Sequence, residues 1–185
     1  SLVRRRQQCP RASRRGGCVG DLEKNRPNEP VDHALGRSRG GWGSKIHLVT
    51  CGNGVPLAAT VTAGQAHESK SFETVMESVR PRRRRPTCVL GDKGYSYPRV
   101  REWCERRGIR DVIPQRSDQV ERGGRRVFSR AIYRGRNVVE RCIGWLKHNR
   151  RLGTRYEKLA VHYLAMLKLA FISRYLRLLE PSDTT

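Results

Sequence analysis

Long apolar stretches are missing from this 185-residue sequence. A membrane helix needs about 18 uninterrupted apolar residues, whereas the most apolar stretch here, around Leu169–Ile172, is bracketed closely by Lys168 and Arg174. A helical membrane span is therefore excluded. The opening Ser1-Leu2-Val3-Arg4-Arg5-Arg6 has neither the apolar core nor the small-residue cleavage site of a secretory signal. It also has no methionine, so the chain reads as a fragment or a processed product. Acidic residues are scarce, 17 Asp and Glu against 39 Lys and Arg. Metal-type cysteine spacing is absent as well. The six cysteines, at positions 9, 18, 51, 88, 104 and 142, include no pair close enough for a zinc knuckle or a redox couple. They read as small buried hydrophobes of a reducing compartment.

What is present is positive charge. The formal net charge is +22, which makes a polyanion the expected partner, because each cation placed on a phosphate releases condensed counterions. Of the 39 basic residues 32 are Arg, a side chain whose planar fork donates to phosphate in pairs, although GC-rich coding also inflates arginine. The length fits one domain with a tail. A non-enzymatic nucleic-acid-binding protein accounts for the charge equally well at this point.

Residues 1–40 are basic, spotted with Gly and Pro, and poor in large apolar residues, which predicts an irregular arm. Lys45 to Thr50 and Val55 to Thr62 alternate in strand fashion around Asn53-Gly54, predicting a β-hairpin. Ser71 to Arg80 has helical spacing, with Ser71 as its cap. Arg82 to Arg85 lie in a surface linker by composition, which reads either as a track for a DNA backbone or as a solvated loop. Thr87 to Leu90 reads as a buried strand, Pro98 to Arg107 as a helix closed by Gly108, and Asp111 to Pro114 as a short strand. Gln119 to Arg130 reads as a loop. Helices over Ala131–His148 and Tyr156–Glu180 complete a mixed α/β layer.

Two features carry chemistry. Asp92 follows the strand Thr87–Leu90 closely, within Gly91-Asp92-Lys93-Gly94-Tyr95. A carboxylate at the carboxyl end of a buried strand is rigidly held beside a crevice; the bland reading is a turn residue. In the helix from Ala131, Tyr133, Arg136, Glu140 and Lys147 fall at roughly 0°, 300°, 340° and 320° on one arc of about 60°, spread over about 21 Å. Ile132, Val138, Val139, Cys142, Ile143 and Leu146 take the buried side. The bland reading is a solvated face in which Arg136 and Glu140 form an i,i+4 pair worth about 0.2–0.5 kcal/mol.

Together the two features resemble the signature of DDE transposases of bacterial insertion-sequence families four and five. Tyr133, Arg136, Glu140 and Lys147 match its Tyr-Arg-Glu-Lys helix, and Asp92 its strand-borne aspartate. His33 to Gly41, Lys45 to Leu48, Thr62 to His67 and Gly153 to Lys158 match in order. The resemblance covers nearly the whole chain. It implies an RNase H-like fold, a mixed sheet flanked by helices. Residues 1–40 would be a basic irregular arm following a missing first strand, residues 41–180 the catalytic domain, and 181–185 a tail. Asp92 and Glu140 would be catalytic metal ligands of a two-metal Mg²⁺ (or Mn²⁺) site, since in-line phosphoryl transfer needs charge neutralised at both the attacking and leaving oxygens. Tyr133, Arg136 and Lys147 would grip double-stranded DNA at the element's terminal inverted repeats. The implied activity is cleavage at the element's ends and strand transfer into target DNA, by a homo-oligomer in the cytoplasm at the nucleoid.

One departure stands out. The family's first aspartate precedes a Ser/Thr and an apolar run; aligning that run with Leu2, Val3, Arg4 and Gln7 puts the aspartate about two residues upstream of Ser1. The fold would then be truncated at its first strand and the chain catalytically incomplete, or a decayed remnant. Asp21 and Asp32 lie in the polar arm and suit the role poorly. His67 with Glu68 reads as part of a structural turn, His33 and His47 have no partners at ligand spacing, and Trp42, Trp103 and Trp145 read as packing residues.

Overall fold

The computed structural model describes residues 2–8, 33–38, 41–79, 86–123 and 127–180. Arg82 to Arg85, Asp21 and Asp32 lie outside these residues. In chain order the described elements are β1 (Leu2–Gln8), β2 (Gly36–Ser38), β3 (Gly41–Thr50), β4 (Pro56–Ala63), α1 (Glu68–Glu77), β5 (Cys88–Leu90), a 3₁₀ turn (Lys93–Tyr95), α2 (Pro98–Arg106), β6 (Arg110–Val112), α3 (Ser117–Gly123), α4 (Arg130–Arg134), α5 (Asn137–His148), α6 (Arg150–Gly153) and α7 (Ala160–Leu179). β1, β3 and β2 form a sheet in that order, with β4 also paired to β3; β5 and β6 form a separate two-stranded sheet. β2 runs antiparallel to β3, with Arg37 opposite Trp42, and β5 runs parallel to β6, with Val89 opposite Asp111.

The hairpin expected around Asn53-Gly54 is β3–β4. Gly54 sits at φ +79, the left-handed conformation that glycine enters without a Cβ clash. The alternation expected in Lys45–Thr50 fails, because every residue from Gly43 to Thr50 is buried. β3 has partner strands on both sides, so its polar side chains find acceptors within the protein. Ser44 Oγ donates to Ala34 O at 2.6 Å, Lys45 Nζ donates to Ala66 O, and His47 Nδ1 lies 3.1 Å from the Tyr95 hydroxyl.

Contacts divide the chain into two compact units: Ser1–Arg4 with His47–Thr60 and His67–Ile143, and Arg5–Ile46 with Val61–Ala66 and Gly144–Thr185. The first has a continuous apolar core of Val49, Ala58, Phe72, Val75, Met76, Val89, Tyr95, Val100, Trp103, Cys104, Ile109 and Ile113. α1 and α2 bury their apolar stripes into it. Phe72 meets Trp103 edge-on at 5.2 Å between ring centroids, a geometry that matches the ring quadrupoles. α2 starts at Pro98 and is followed by Gly108 at φ +63, so the Pro-first, Gly-last punctuation holds. Trp103 and Cys104 are packing residues here, and Cys142 is also buried.

The second unit is centred on Arg155, which has no exposed surface. Its guanidinium donates to His33 O at 2.7 Å, Ala34 O at 3.2 Å, Glu157 O at 2.9 Å and Lys158 O at 2.9 Å, and also to Ser44 Oγ. Ala34 holds φ 49, costly for a residue with a Cβ, and the two donors on its carbonyl help fix it there. A Cβ on Gly64 would come within 2.9 Å of both Gly36 O and Gly43 O. Glycine at position 64 thus lets these backbones meet where no side chain fits. α6 packs on α7, and the buried Tyr163 hydroxyl donates to Leu152 O at 3.1 Å.

Several elements differ from the sequence reading. Where an irregular arm was expected over 1–40 after a missing first strand, the structure has β1 and β2. Leu-Val-Arg-Arg-Arg-Gln-Gln shows no alternation, so pairing with β3 makes β1 a strand. α1 begins three residues early. His67 caps it, its Nδ1 accepting from Ser69 N at 3.3 Å, and Ser71 is a buried residue within the helix. The 119–130 loop overlaps α3. The single helix over 131–148 is broken at Gly135-Arg136, where the bonds run i to i+3: Arg136 N to Tyr133 O at 2.9 Å and Val139 N to Arg136 O at 3.1 Å. Glycine's backbone freedom makes it a weak helix residue, and the break releases Ile132 from the buried side: it is 37 % exposed, while Val139, Cys142, Ile143 and Leu146 are buried as expected. The helix over 156–180 starts later, at Ala160, after the separate turn α6.

Candidate active site

The first unit places Asp92 directly beyond β5. Gly91 continues the pairing, its N–H donating to Val112 O at 3.4 Å, and then the chain turns. Asp92 caps the 3₁₀ turn, with Oδ1 accepting from Gly94 N at 3.0 Å. The turn is anchored from below by Tyr95, which is fully buried in the core and bonded to His47. His47 thus has a partner that its sequence position did not reveal, 48 residues away. The carboxylate of Asp92 is consequently held by a strand, a turn and a buried phenol, while remaining half-exposed itself.

The broken helix brings the second set of groups to the same place. A Cβ on Gly135 would lie 3.8 Å from Leu90 Cδ2, so the turn between α4 and α5 rests on the end of β5. Arg136 Nη2 donates to Glu140 Oε1 at 2.6 Å, and its guanidinium carbon stands 5.5 Å from the Tyr133 ring centroid. Phe128 also packs against Tyr133, at 5.1 Å between centroids. The Tyr133 hydroxyl is held protonated above its ordinary pKa. Burial is the main cause, Arg136 opposes it, and the Asp92 and Glu140 carboxylates both add to it. Asp92 and Glu140, 48 positions apart in sequence, both bias this hydroxyl toward its protonated form.

Arg136 and Glu140 do form the i,i+4 pair of the bland reading, with 21 % and 44 % of their side chains exposed. Such a pair is worth a few tenths of a kcal/mol, a weak hold that a stronger ligand for either partner displaces. Lys147 is exposed on α5, in the part of that helix belonging to the second unit. Among the described residues no group of three or more His, Cys, Asp and Glu is arranged to hold a metal ion. The Asp92 and Glu140 carboxylates are hard oxygen donors of the kind that Mg²⁺ and Mn²⁺ take, and as a pair they fit part of a divalent site.

This correspondence has a counterpart in known proteins. The family model described as transposase DDE domain matches residues 30–174. The chain belongs to the transposase DDE domain family. A Burkholderia cepacia protein whose name gives it as a transposase for insertion sequence element IS402 is 37 % identical over 134 residues, covering 69 % of this chain and 60 % of that relative. The chain thus spans about three fifths of the relative's length. No solved structure matches the chain. The matched residues include the Asp92 turn and the Glu140 helix of the first unit, and Gly36, Gly64 and Arg155 of the second.

Three features escaped sequence reasoning. Phe128, in a stretch read as loop, packs on Tyr133 and lines a small cleft of about 50 Å³ with Arg101, Arg110, Asp111 and Gln115. The Glu68 side chain, buried, lies against Gly94, where a Cβ would approach its carboxyl carbon to 3.4 Å. His67 Nε2 lies 2.7 Å from the Tyr97 hydroxyl, which also accepts from Arg116. Only His67-Glu68 was visible beforehand, as a turn.

Proposed function

We propose that this protein is the catalytic core of an insertion-sequence transposase of RNase H-like fold. In this reading it cleaves double-stranded DNA at the element's terminal inverted repeats and joins the ends to target DNA, as a homo-oligomer in the bacterial cytoplasm. The observation that carries the reading is the Gly135 turn resting on Leu90 at the end of β5, which brings the helix carrying Glu140 to the strand end that carries Asp92, because a phosphoryl-transfer metal site draws its carboxylates from distant segments. The order of a β1–β3–β4 sheet, α1, and a parallel β5–β6 pair with α2 between its strands supports the fold.

Asp92 and Glu140 would hold the divalent ions. The ions would supply charge neutralisation at the attacking and leaving oxygens of an in-line displacement. The residues of this chain do the rest. Tyr133, kept protonated, donates its hydroxyl hydrogen to a phosphate oxygen. Arg136, once Glu140 is engaged elsewhere, turns its guanidinium fork onto the same backbone. Lys147 adds a point charge for a neighbouring phosphate, a role that rests on the resemblance.

The test is Mg²⁺- or Mn²⁺-dependent nicking of end DNA by this chain beside a version extended upstream by its native codons. Cutting by the extended version, lost in Glu140→Gln with DNA binding retained within a few-fold, is the expected result. Retained cutting in Glu140→Gln overturns the site. Binding by both versions with no cutting by either returns the non-enzymatic reading.

A further inference from the structure

α7 has two apolar faces. Tyr163, Leu167 and Phe171 form one and are buried. Val161, Ala165, Leu169, Ile172, Leu176 and Leu179 form the other, and all six are exposed, the leucines at 57, 53 and 77 %. At about 100° per residue these six fall within an arc of about 80°, opposite the buried face, along roughly 27 Å of helix. From Ala165 onward their spacing is four, three, four, three, the repeat of a helix seam that packs against another helix. No charged residue lies within the stripe.

Its occupant can be argued from area and charge. Taken together the six side chains expose about 600 Å² per copy, the size of the largest apolar patch on an ordinary monomer. Two copies face to face would bury at most about 1,200 Å², the low end of the range for a specific interface. A stripe with this repeat is also self-complementary about a two-fold axis. A membrane surface fits less well, since an interfacial helix borders its apolar face with cations. Here Lys168 is the basic residue at the border, while Arg174 is turned onto the Trp145 ring, 5.4 Å from its centroid.

We propose that α7 is a self-association surface that pairs with α7 of a second copy of this chain along the Val161–Leu179 stripe. It deepens the proposed function by giving the two ends of an element a protein contact that brings them together. Its test reads association without DNA or metal, so its failure leaves the Asp92–Glu140 site untouched. Each copy carries a formal charge of +22, and like charge opposes the pairing. Association therefore strengthens with salt, the reverse of DNA binding.

Sedimentation equilibrium on the full chain, between about 0.1 and 0.5 M NaCl, should give a monomer–dimer equilibrium that tightens as salt rises. Leu169→Glu with Leu176→Glu should weaken it at least about tenfold, with helix content by circular dichroism unchanged. Leu178→Glu, equally exposed but off the stripe, should leave it unaltered and separates the seam from general stickiness. A chain that stays monomeric at high salt overturns the proposal, as does a dimer that survives the double substitution or tightens as salt falls. Stripe-dependent co-sedimentation with phosphatidylcholine vesicles in place of self-association also overturns it.

Discussion

Arg136 and Arg155 both lie in family-like segments, yet the protein uses them in opposite ways. Arg136 sits half-buried at a helix break, bonded to one carboxylate at 2.6 Å. Arg155 is wholly buried and bonded to four carbonyls and a hydroxyl, with its guanidinium carbon 5.3 Å from the Tyr163 ring centroid. The first guanidinium keeps donors that solvent or a phosphate can reach; the second has committed its fork to backbone. A charged group fully satisfied by rigid acceptors is architecture, whereas one on a weak, exposed partner is available to a ligand.

The sharpest way to break this contrast is at Glu140. Glu140→Gln should lower metal-dependent cleavage in an extended chain by several orders of magnitude, while shifting the denaturant midpoint by no more than about 0.5 kcal/mol. A large loss of stability would make Glu140 architectural too. Arg155→Ala should do the reverse, destabilising the fold by about 3 kcal/mol or more, because buried carbonyls lose a charged donor. Arg155→Lys should recover only part of this in urea unfolding, since an ammonium has three donors and no fork; full recovery would reduce Arg155 to a point charge.

Smaller effects sharpen the picture. Lys147→Ala should reduce the slope of log affinity for end DNA against log salt by about one, with the fold unchanged; an unaltered slope would remove Lys147 from the DNA contact. The smallest effect concerns pH. Burial, and then the Asp111 carboxylate, push the Cys104 thiol from 9.0 up to about 12. The folded state binds this proton more tightly than the unfolded one, so the associated stability is complete below pH 9 and is lost as pH rises toward 12. Urea midpoints of Cys104→Ala should fall less steeply over that interval than those of the unchanged protein.

Much of the site was legible because its residues sit in short patterns. An apolar run ending in Gly-Asp announces a strand with a carboxylate beyond it, and the spacing of Arg136 and Glu140 announces a pair one turn apart. Tyr133 was placed on the same straight helix, which the Gly135 break replaced with α4 and a tight turn; a single glycine in a periodic segment carries too little signal to predict that. β1 was illegible for a different reason, since a basic run acquires strand geometry only from the neighbour that pairs with it.

The sequence by itself determined the charge, the absence of a membrane-spanning helix, the family, and which residue types stand at Asp92, Tyr133, Arg136, Glu140, Lys147 and Arg155. Tertiary structure alone decided that the Gly135 turn rests on the end of β5, that Arg155 is sealed inside while Arg136 is not, and that α7 keeps a second apolar face exposed. The physical reason is common to all three. Burial and pairing are properties of what the rest of the chain places beside a residue, and periodicity within one segment carries no information about neighbours 48 or 121 positions away.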